Sequence, residues 1–250
     1  MKIINAWRLK TLFQKPCFIS IAAFTLAEVL IVIGIIGVIA EMTIPTLANS
    51  VTTASITSGF LKDYSVLQQA SREIINDSNG NITNAFPTAQ DLSDAISAKL
   101  KISKKCADQA SNSYCWPDPT TIRTLSGADF TGNYDDNGPS FILVDGTVIK
   151  IYNNAWYSPD CSVFPRTLGG KVEGMCAVIH MDINGVKPPN QLGRDIFEMD
   201  FYSSSGIIPN GTQGSIDDYT AWDSCDPTYT GADSGCGCAA RLLNDHGIKY

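Results

Sequence analysis

The sequence predicts an α+β protein: a long N-terminal helix, membrane-embedded over its first half, packed on a small antiparallel β-sheet with disulfide-stapled loops. Three observations predict it. A basic N-terminus is followed by one apolar run of helical length. Short strand-like segments come after the helix rather than alternating with further helices. Most of the eight cysteines sit in Gly/Asn/Asp/Pro-rich sequence, the usage of an oxidising compartment.

The 250 residues are 44% hydrophobic and 17% charged, against about 25% charged in an ordinary soluble domain. Glu28 and Glu41 are the only charges between Phe24 and Leu61, and the rest of the chain is conventionally polar. A formal net charge of −7 without a basic stripe argues against nucleic-acid binding. A single run long enough to cross a bilayer excludes a multi-span protein. Two histidines, His180 and His246, leave little material for metal or acid–base chemistry.

Met1 to Ala23 carries Lys2, Arg8, Lys10 and Lys15 and no acid. The apolar run Phe24–Ile44, at 1.5 Å per residue, spans roughly 30 Å as a helix, the thickness of the hydrocarbon layer. The basic flank is expected to stay cytoplasmic, which sends the chain after Ser50 outward. Val29–Ala40 has the length of a signal-peptide core, but Glu28 and Glu41 at its ends fit that reading poorly. An uncleaved anchor explains the length but not Glu28, since a carboxylate costs about 2.5–3.5 kcal/mol at the bilayer centre and signals a partner.

The segment Ala23-Phe24-Thr25-Leu26-Ala27-Glu28, followed by Val29–Ala40, resembles the prepilin cleavage and methylation motif of type IV pilins and type II secretion pseudopilins. The resemblance implies cleavage before Phe24 by a prepilin peptidase, N-methylation of the new Phe24 amine, and assembly on an inner-membrane platform. It makes Glu28 the fifth and Pro45 the twenty-second residue of the mature chain, where the family commonly carries Glu and Pro. Ala23 stands where Gly is usual, and Glu41 where the family is mostly apolar. Losing the four cations of the leader takes the net charge from −7 to −11. The implied organisation is a cleaved leader (1–23), a transmembrane or filament-core helix (24–45) and a periplasmic or extracellular pilin-like head (46–250). The implied location is the inner membrane as precursor, then a periplasmic pseudopilus or a cell-surface pilus.

Glu28 has a physical role beside the resemblance. In the first turn it complements the positive end of the helix. Inside a membrane or filament it also calls for a cation, and the Phe24 ammonium of a neighbouring subunit is the one the motif supplies. The remaining elements follow in order. Pro45 is expected to kink the helix. Leu47, Val51, Ala54, Leu61, Tyr64, Leu67 and Ile74 recur at helical spacing, extending one helix from Phe24 to Asn76, about 80 Å at helical rise, stopped by Asp77–Asn81. Thr88–Leu100 reads as a second helix and Cys106–Asp136 as irregular. Phe141–Tyr152 reads as a hairpin on a two-residue Asp145-Gly146 turn. Ala177–Ile183 and Asp195–Phe201 read as strands, Ser203–Gly237 as loop, and Ala239–Leu243 as a short amphipathic turn. A long helix before antiparallel strands is also the pilin layout. The segments Gly138–Thr147, Asp182–Phe197 and Cys238–Tyr250 resemble stretches recurring in bacterial pilin-like proteins.

Asp182, Asn184, Asn190 and Asp195 offer hard oxygen ligands for calcium. The order is not an EF-hand, and a turn with Asn184-Gly185 supplying positive φ explains the same residues; some pseudopilins of the resembled family bind calcium near this end of their sheet. Cys17 leaves with the leader. Sequence proximity suggests Cys106–Cys115, Cys161–Cys176 and Cys225 with Cys236 or Cys238, among the fifteen pairings that six cysteines allow. Zinc spacing is absent. His180 in a strand and His246 near the end lack a Ser or Cys motif beside them, and no P-loop, GxGxxG or HExxH occurs, so no enzymatic constellation is visible. Trp116, Trp156, Tyr157 and Trp222 are loop aromatics, either a ligand platform or core. The sequence therefore points to a filament subunit, with a monomeric membrane-tethered binding protein or adhesin as the alternative.

Overall fold

The structure, a computed structural model, describes residues 25–106, 115–130, 138–164, 166–168, 171–213 and 224–250, with the side chains of 44–51 and 168 outside the description. The leader, the Ala23–Phe24 junction and Trp222 fall outside the described residues. The chain divides between Leu47 and Ala48 into two compact units. In the first, helix α1 (Leu26–Asp77) begins with an 18-residue apolar stretch, Leu26–Thr43, none of whose residues is buried among the described residues. The kink expected at Pro45 lies among the side chains that are not described.

The second unit is α+β. Helix α1 ends as its stop cluster dictates: Asn79 takes φ 57° and the Gly80 amide donates to the Ile75 carbonyl, the Schellman arrangement that satisfies the last carbonyls. Helix α2 (Ala89–Ala98) starts from a capping box in which Thr88 and Asp91 exchange side-chain and backbone hydrogen bonds. Six strands form one antiparallel sheet in the order β1-β2-β3-β6-β7-β8: β1 (Ile102–Cys106), β2 (Ser140–Leu143), β3 (Val148–Ile151), β6 (Met175–Asp182), β7 (Ile196–Tyr202) and β8 (Gly206–Pro209). Between β3 and β6 the chain makes a separate two-stranded hairpin, β4 (Arg166–Leu168) and β5 (Lys171–Glu173). Helix α3 (Cys238–Asp245) follows the tail and is capped by His246 in a left-handed conformation.

Four sequence expectations are corrected. The tail read as loop contains strand β8. The hairpin between β2 and β3 turns on three residues rather than two: the Leu143 amide donates to Thr147 O and the Gly146 amide to Leu143 O, with Gly146 at φ 100°. This is a type I turn closed by a glycine in the left-handed region, the commonest three-residue hairpin solution. The stripe that α1 presents to the sheet is Ile56, Phe60, Leu67 and Ile74, with Leu61 and Ala54 exposed. Finally, β1 and the β4–β5 hairpin appear where no strand was expected.

The two faces of the sheet differ in chemistry. Phe141, Ile149, Ile151, Ala177, Ile179, Met181, Phe197, Met199 and Phe201 meet α1 and α2 in one apolar core. Phe60 lies at its centre, fully buried, its ring 4.7 Å from that of Phe197 and 6.0 Å from that of Tyr64. The opposite face is covered by loops carrying Trp116, Ile122 and Leu192. It buries Lys150, His180, Asp182 and Asp200 among Val148, Val178, Ile196 and Tyr202. All eight residues of β6 are buried, as a strand covered on both faces requires.

Because Phe60 fills the junction of helix and sheet, Phe60→Ala is expected to cost about 3–5 kcal/mol. Leu61→Ala on the exposed side is expected to cost under about 1 kcal/mol. Chemical denaturation of the full chain in detergent micelles, followed by near-UV dichroism, measures both.

Candidate functional site

Three groups of residues carry the chemistry that the sequence singled out. The first is the start of α1. The Glu28 carboxylate accepts from the Thr25 amide and from Thr25 Oγ1, both at 2.8 Å, while the Glu28 amide donates to Thr25 Oγ1 at 3.2 Å. This is a reciprocal capping box, Thr25-Leu26-Ala27-Glu28. The Ser/Thr-x-x-Glu signature was present in the sequence and gives Glu28 a local capping role, whereas the expected pairing with a neighbour's amine involves residues outside the described ones. Phe24, the expected donor of that amine, lies outside the described residues.

The second group is the cysteines. Cys106–Cys115, Cys161–Cys176 and Cys225–Cys238 are disulfide-bonded. Cys236 keeps its thiol, buried and hydrogen-bonded to Glu198. That thiol ends a polar row laid across the covered face of the sheet. Lys150, His180 and Glu198 are direct cross-strand neighbours. His180 Nε2 lies 2.7 Å from Glu198 Oε2 and His180 Nδ1 lies 3.2 Å from Tyr152 Oη. Asn210 Nδ2 donates to Glu198 Oε1 at 2.6 Å. The Trp116 ring stacks on His180 at 6.0 Å, and the Lys150 ammonium sits 5.7 Å from the Trp116 ring and 5.5 Å from that of Tyr152. Trp116 is therefore core and not a ligand platform, while Trp156 and Tyr157 are half-buried. With both ring nitrogens engaged, a neutral His180 is satisfied where it stands. Burial pushes Glu198 up to about 7 against the hydrogen bonds from Asn210 and Cys236.

The third group is the loop between β6 and β7, where Asp182, Asn184, Asn190 and Asp195 come together. Asp195 is buried and accepts from the Asn190 amide at 2.9 Å and the Gln191 amide at 2.6 Å. The Asn184 side chain also bonds to Asp195, and the Ile183 amide donates to the Asp195 carbonyl. Asp182 is fully buried, and neither of its carboxylate oxygens has a hydrogen-bond partner; Asn184 Oδ1 and Asn190 Oδ1 are likewise buried and unpartnered. The amides of Asn184 and Gly185 approach Asp182 and hold its pKa down without closing a hydrogen bond. Burial, reinforced by the Asp195 charge, nevertheless pushes Asp182 up to about 9.

Four buried oxygens without a donor are costly, at about 1–3 kcal/mol each. Two carboxylates and two amide oxygens form a hard, all-oxygen donor set, which suits calcium rather than zinc. Among the described residues no three His, Cys, Asp or Glu side chains group around one point, so amide oxygens are an essential part of this set. A calcium ion would suit this chemistry: Asp182, Asn184, Asn190 and Asp195 would hold it, and it would supply the positive charge that the buried carboxylates lack. Sequence reasoning singled out the oxygen-bearing residues; the orphaned oxygens appear only in the fold. Comparison of the chain with protein-family models, curated proteins and solved structures returned no match.

The raised carboxyls fix the sign of the pH dependence. Glu198 and Asp182, with Asp63 and Asp195 shifted the same way, bind protons in the folded head that the unfolded chain releases. Their stabilising contribution is complete below the ordinary carboxylate range and declines as pH rises toward about 7 for Glu198 and about 9 for Asp182. Asp145 and Glu173 shift downward, so their contribution is lost only in acid. With a chelator present, the full chain is expected to melt at a higher temperature at pH 5 than at pH 8. Calcium at pH 8 is expected to raise that melting temperature by several degrees, and Asp182→Asn to abolish the rise. Differential scanning calorimetry measures all three.

Proposed function

We propose that this chain is a structural subunit of a type IV pilus or a type II secretion pseudopilus, released from its leader before Phe24 and assembled through its N-terminal helix. The supporting observation is the helical stretch Leu26–Thr43, 18 residues of mean hydropathy 2.2 with none of it buried in its own chain. Val29, Leu30, Ile31, Val32, Ile33, Ile35 and Ile36 are all exposed, so the helix is apolar around its whole circumference. Such a helix is stable in lipid or among other apolar helices, and assembly carries it from the first surrounding to the second.

The mechanism is mechanical. The precursor waits in the inner membrane with its head outside. After cleavage by a prepilin peptidase, the assembly platform transfers the helix into a bundle of helices from copies of this chain or related pilins. The contact is heterologous and generates an open helical filament. The ammonium of Phe24 on one subunit neutralises Glu28 on the next and fixes the register. The disulfide-stapled heads form the exterior, with calcium held by the loop between β6 and β7 completing them.

Two substitutions separate the pairing role of Glu28 from its capping role. Glu28→Gln keeps a side chain able to complete the capping box but removes the charge. Thr25→Ala removes the cap and keeps the charge. Glu28→Gln is expected to be cleaved normally yet enter sheared filaments at least about tenfold less than wild type, the effect of about 1.4 kcal/mol. Thr25→Ala is expected to stay within about threefold of wild type, as a lost exposed cap allows. Normal incorporation of Glu28→Gln contradicts the ionic pairing. Wild type recovered only as a membrane-bound monomer favours the tethered binding protein or adhesin instead.

A further inference from the structure

The oxygen loop is bonded within itself through Asp195 and is also held from outside. Three segments from elsewhere in the chain grip its second half. From residues 123–125, the Arg123 amide donates to Asn190 O at 3.0 Å and Arg123 O accepts from the Leu192 amide at 2.9 Å. Gln191 Nε2 donates to the carbonyls of Thr124 and Leu125, both at 3.0 Å. From the end of the chain, Tyr250 Oη donates to Gly193 O at 2.8 Å, its ring under the Arg241 guanidinium at 5.1 Å. Arg241 in turn donates to the Cys225 carbonyl.

The third grip is the Cys225–Cys238 disulfide, packed with Leu125 and Tyr250 in a small separate core. Gly193 sits against it at φ 73°, so close that a Cβ there would lie 2.6 Å from Cys238 Sγ. Gly193 is two residues from Asp195, whose carboxylate orders the amides of Asn190 and Gln191. The disulfide is thus in contact with the part of the loop that carries two of the four oxygen-bearing side chains. The other two disulfides staple different segments, Cys106 to Cys115 and Cys161 to Cys176.

Resting on the calcium reading above, we propose that the Cys225–Cys238 disulfide and Tyr250 are positioning residues for the cation site, so that closing this disulfide and binding calcium reinforce each other. The loop then takes calcium at full affinity only after the chain has reached a compartment that oxidises its cysteines. By reciprocity, a bound ion protects this disulfide, and this one in particular, from reduction.

The test uses the full chain, oxidised, in detergent micelles. Calcium binding by titration calorimetry is expected for wild type, lost in Asp182→Asn, and weakened at least about tenfold when Cys225→Ser and Cys238→Ser are combined, with Tyr250→Phe in between, inside the range of ordinary coupling between sites. Timed reduction with dithiothreitol follows, in calcium or in chelator, with thiols trapped by iodoacetamide and located by peptide mass spectrometry. Each reduction turns one disulfide into two cysteine thiols and oxidises one dithiothreitol. Calcium is expected to slow opening of Cys225–Cys238 about tenfold, to leave Cys161–Cys176 unaffected, and to lose this effect in Asp182→Asn. If wild type binds calcium and the double serine variant binds it as tightly, the clamp is overturned while the cation site stands. Equal protection of Cys161–Cys176 also overturns it, because that is global stabilisation. No calcium binding by wild type overturns the cation site and the clamp together. Should the double serine variant fail to fold, the reduction experiment on wild type and Asp182→Asn decides.

Discussion

An apolar helical surface with none of its residues buried among the described residues is the constraint on which the rest depends. Leu26–Thr43 exposes side chains such as Leu26, Ile31, Ile36 and Ile39 all around the helix. At about 25 cal/mol per Å² of apolar surface, water is an untenable surrounding for a segment of this size. Lipid or neighbouring apolar helices would remove that surface from water. Glu28, with its carboxylate tied to Thr25, adds a charge whose local partners are neutral hydrogen-bond donors. A capped acid at a helix end, with neutral donors as its partners among the described residues, is suited to meeting a cation.

The second unit solves a different problem. Its sheet buries one apolar face under α1 and α2, anchored by Phe60 on Phe197. Among the described residues loops cover the other face, and these loops have only small cores of their own. Disulfides compensate by restricting the unfolded chain. Beneath the loops, Lys150, His180 and Glu198 line up across three adjacent strands. A buried row of this kind tolerates only one pairing of its members, which disfavours a one-residue slip of β6 against its neighbours. Such a slip would also place Met181 and Phe197 among the polar side chains.

Much of this was legible in the sequence, where the pattern was strong and local. Helix α1 and its stop, the α2 cap region and strands β3, β6 and β7 follow from apolar periodicity and turn residues. The elements that escaped draw their order from neighbours. Strand β1 is Ile-Ser-Lys-Lys-Cys with three exposed polar residues at a sheet edge, and β8 is four residues ending in Pro209; edge strands carry little intrinsic signal. In the buried stripe of α1, Leu67 and Ile74 were legible, but Leu61 was read in place of Phe60 because both are apolar, and contact with Phe197 selects between them. Two disulfides followed from spacing. For the third, Cys236 and Cys238 are nearly equivalent in sequence, and the fold distinguishes them by setting Cys238 against Gly193 and Cys236 beside Glu198. The four oxygen-bearing residues were visible as residue types, but the burial of Asp182, Asn184 and Asn190 oxygens without hydrogen-bond partners depends on how the loop between β6 and β7 packs.

The central claim is that the apolar helix becomes the chain's new beginning and is used for assembly. Mass spectrometry of the N-terminal peptide from native material tests it most directly. The account predicts a chain that starts at Phe24 with an N-methylated amine. A chain that begins at Met1, or near Met42 after removal of the whole apolar segment, contradicts it.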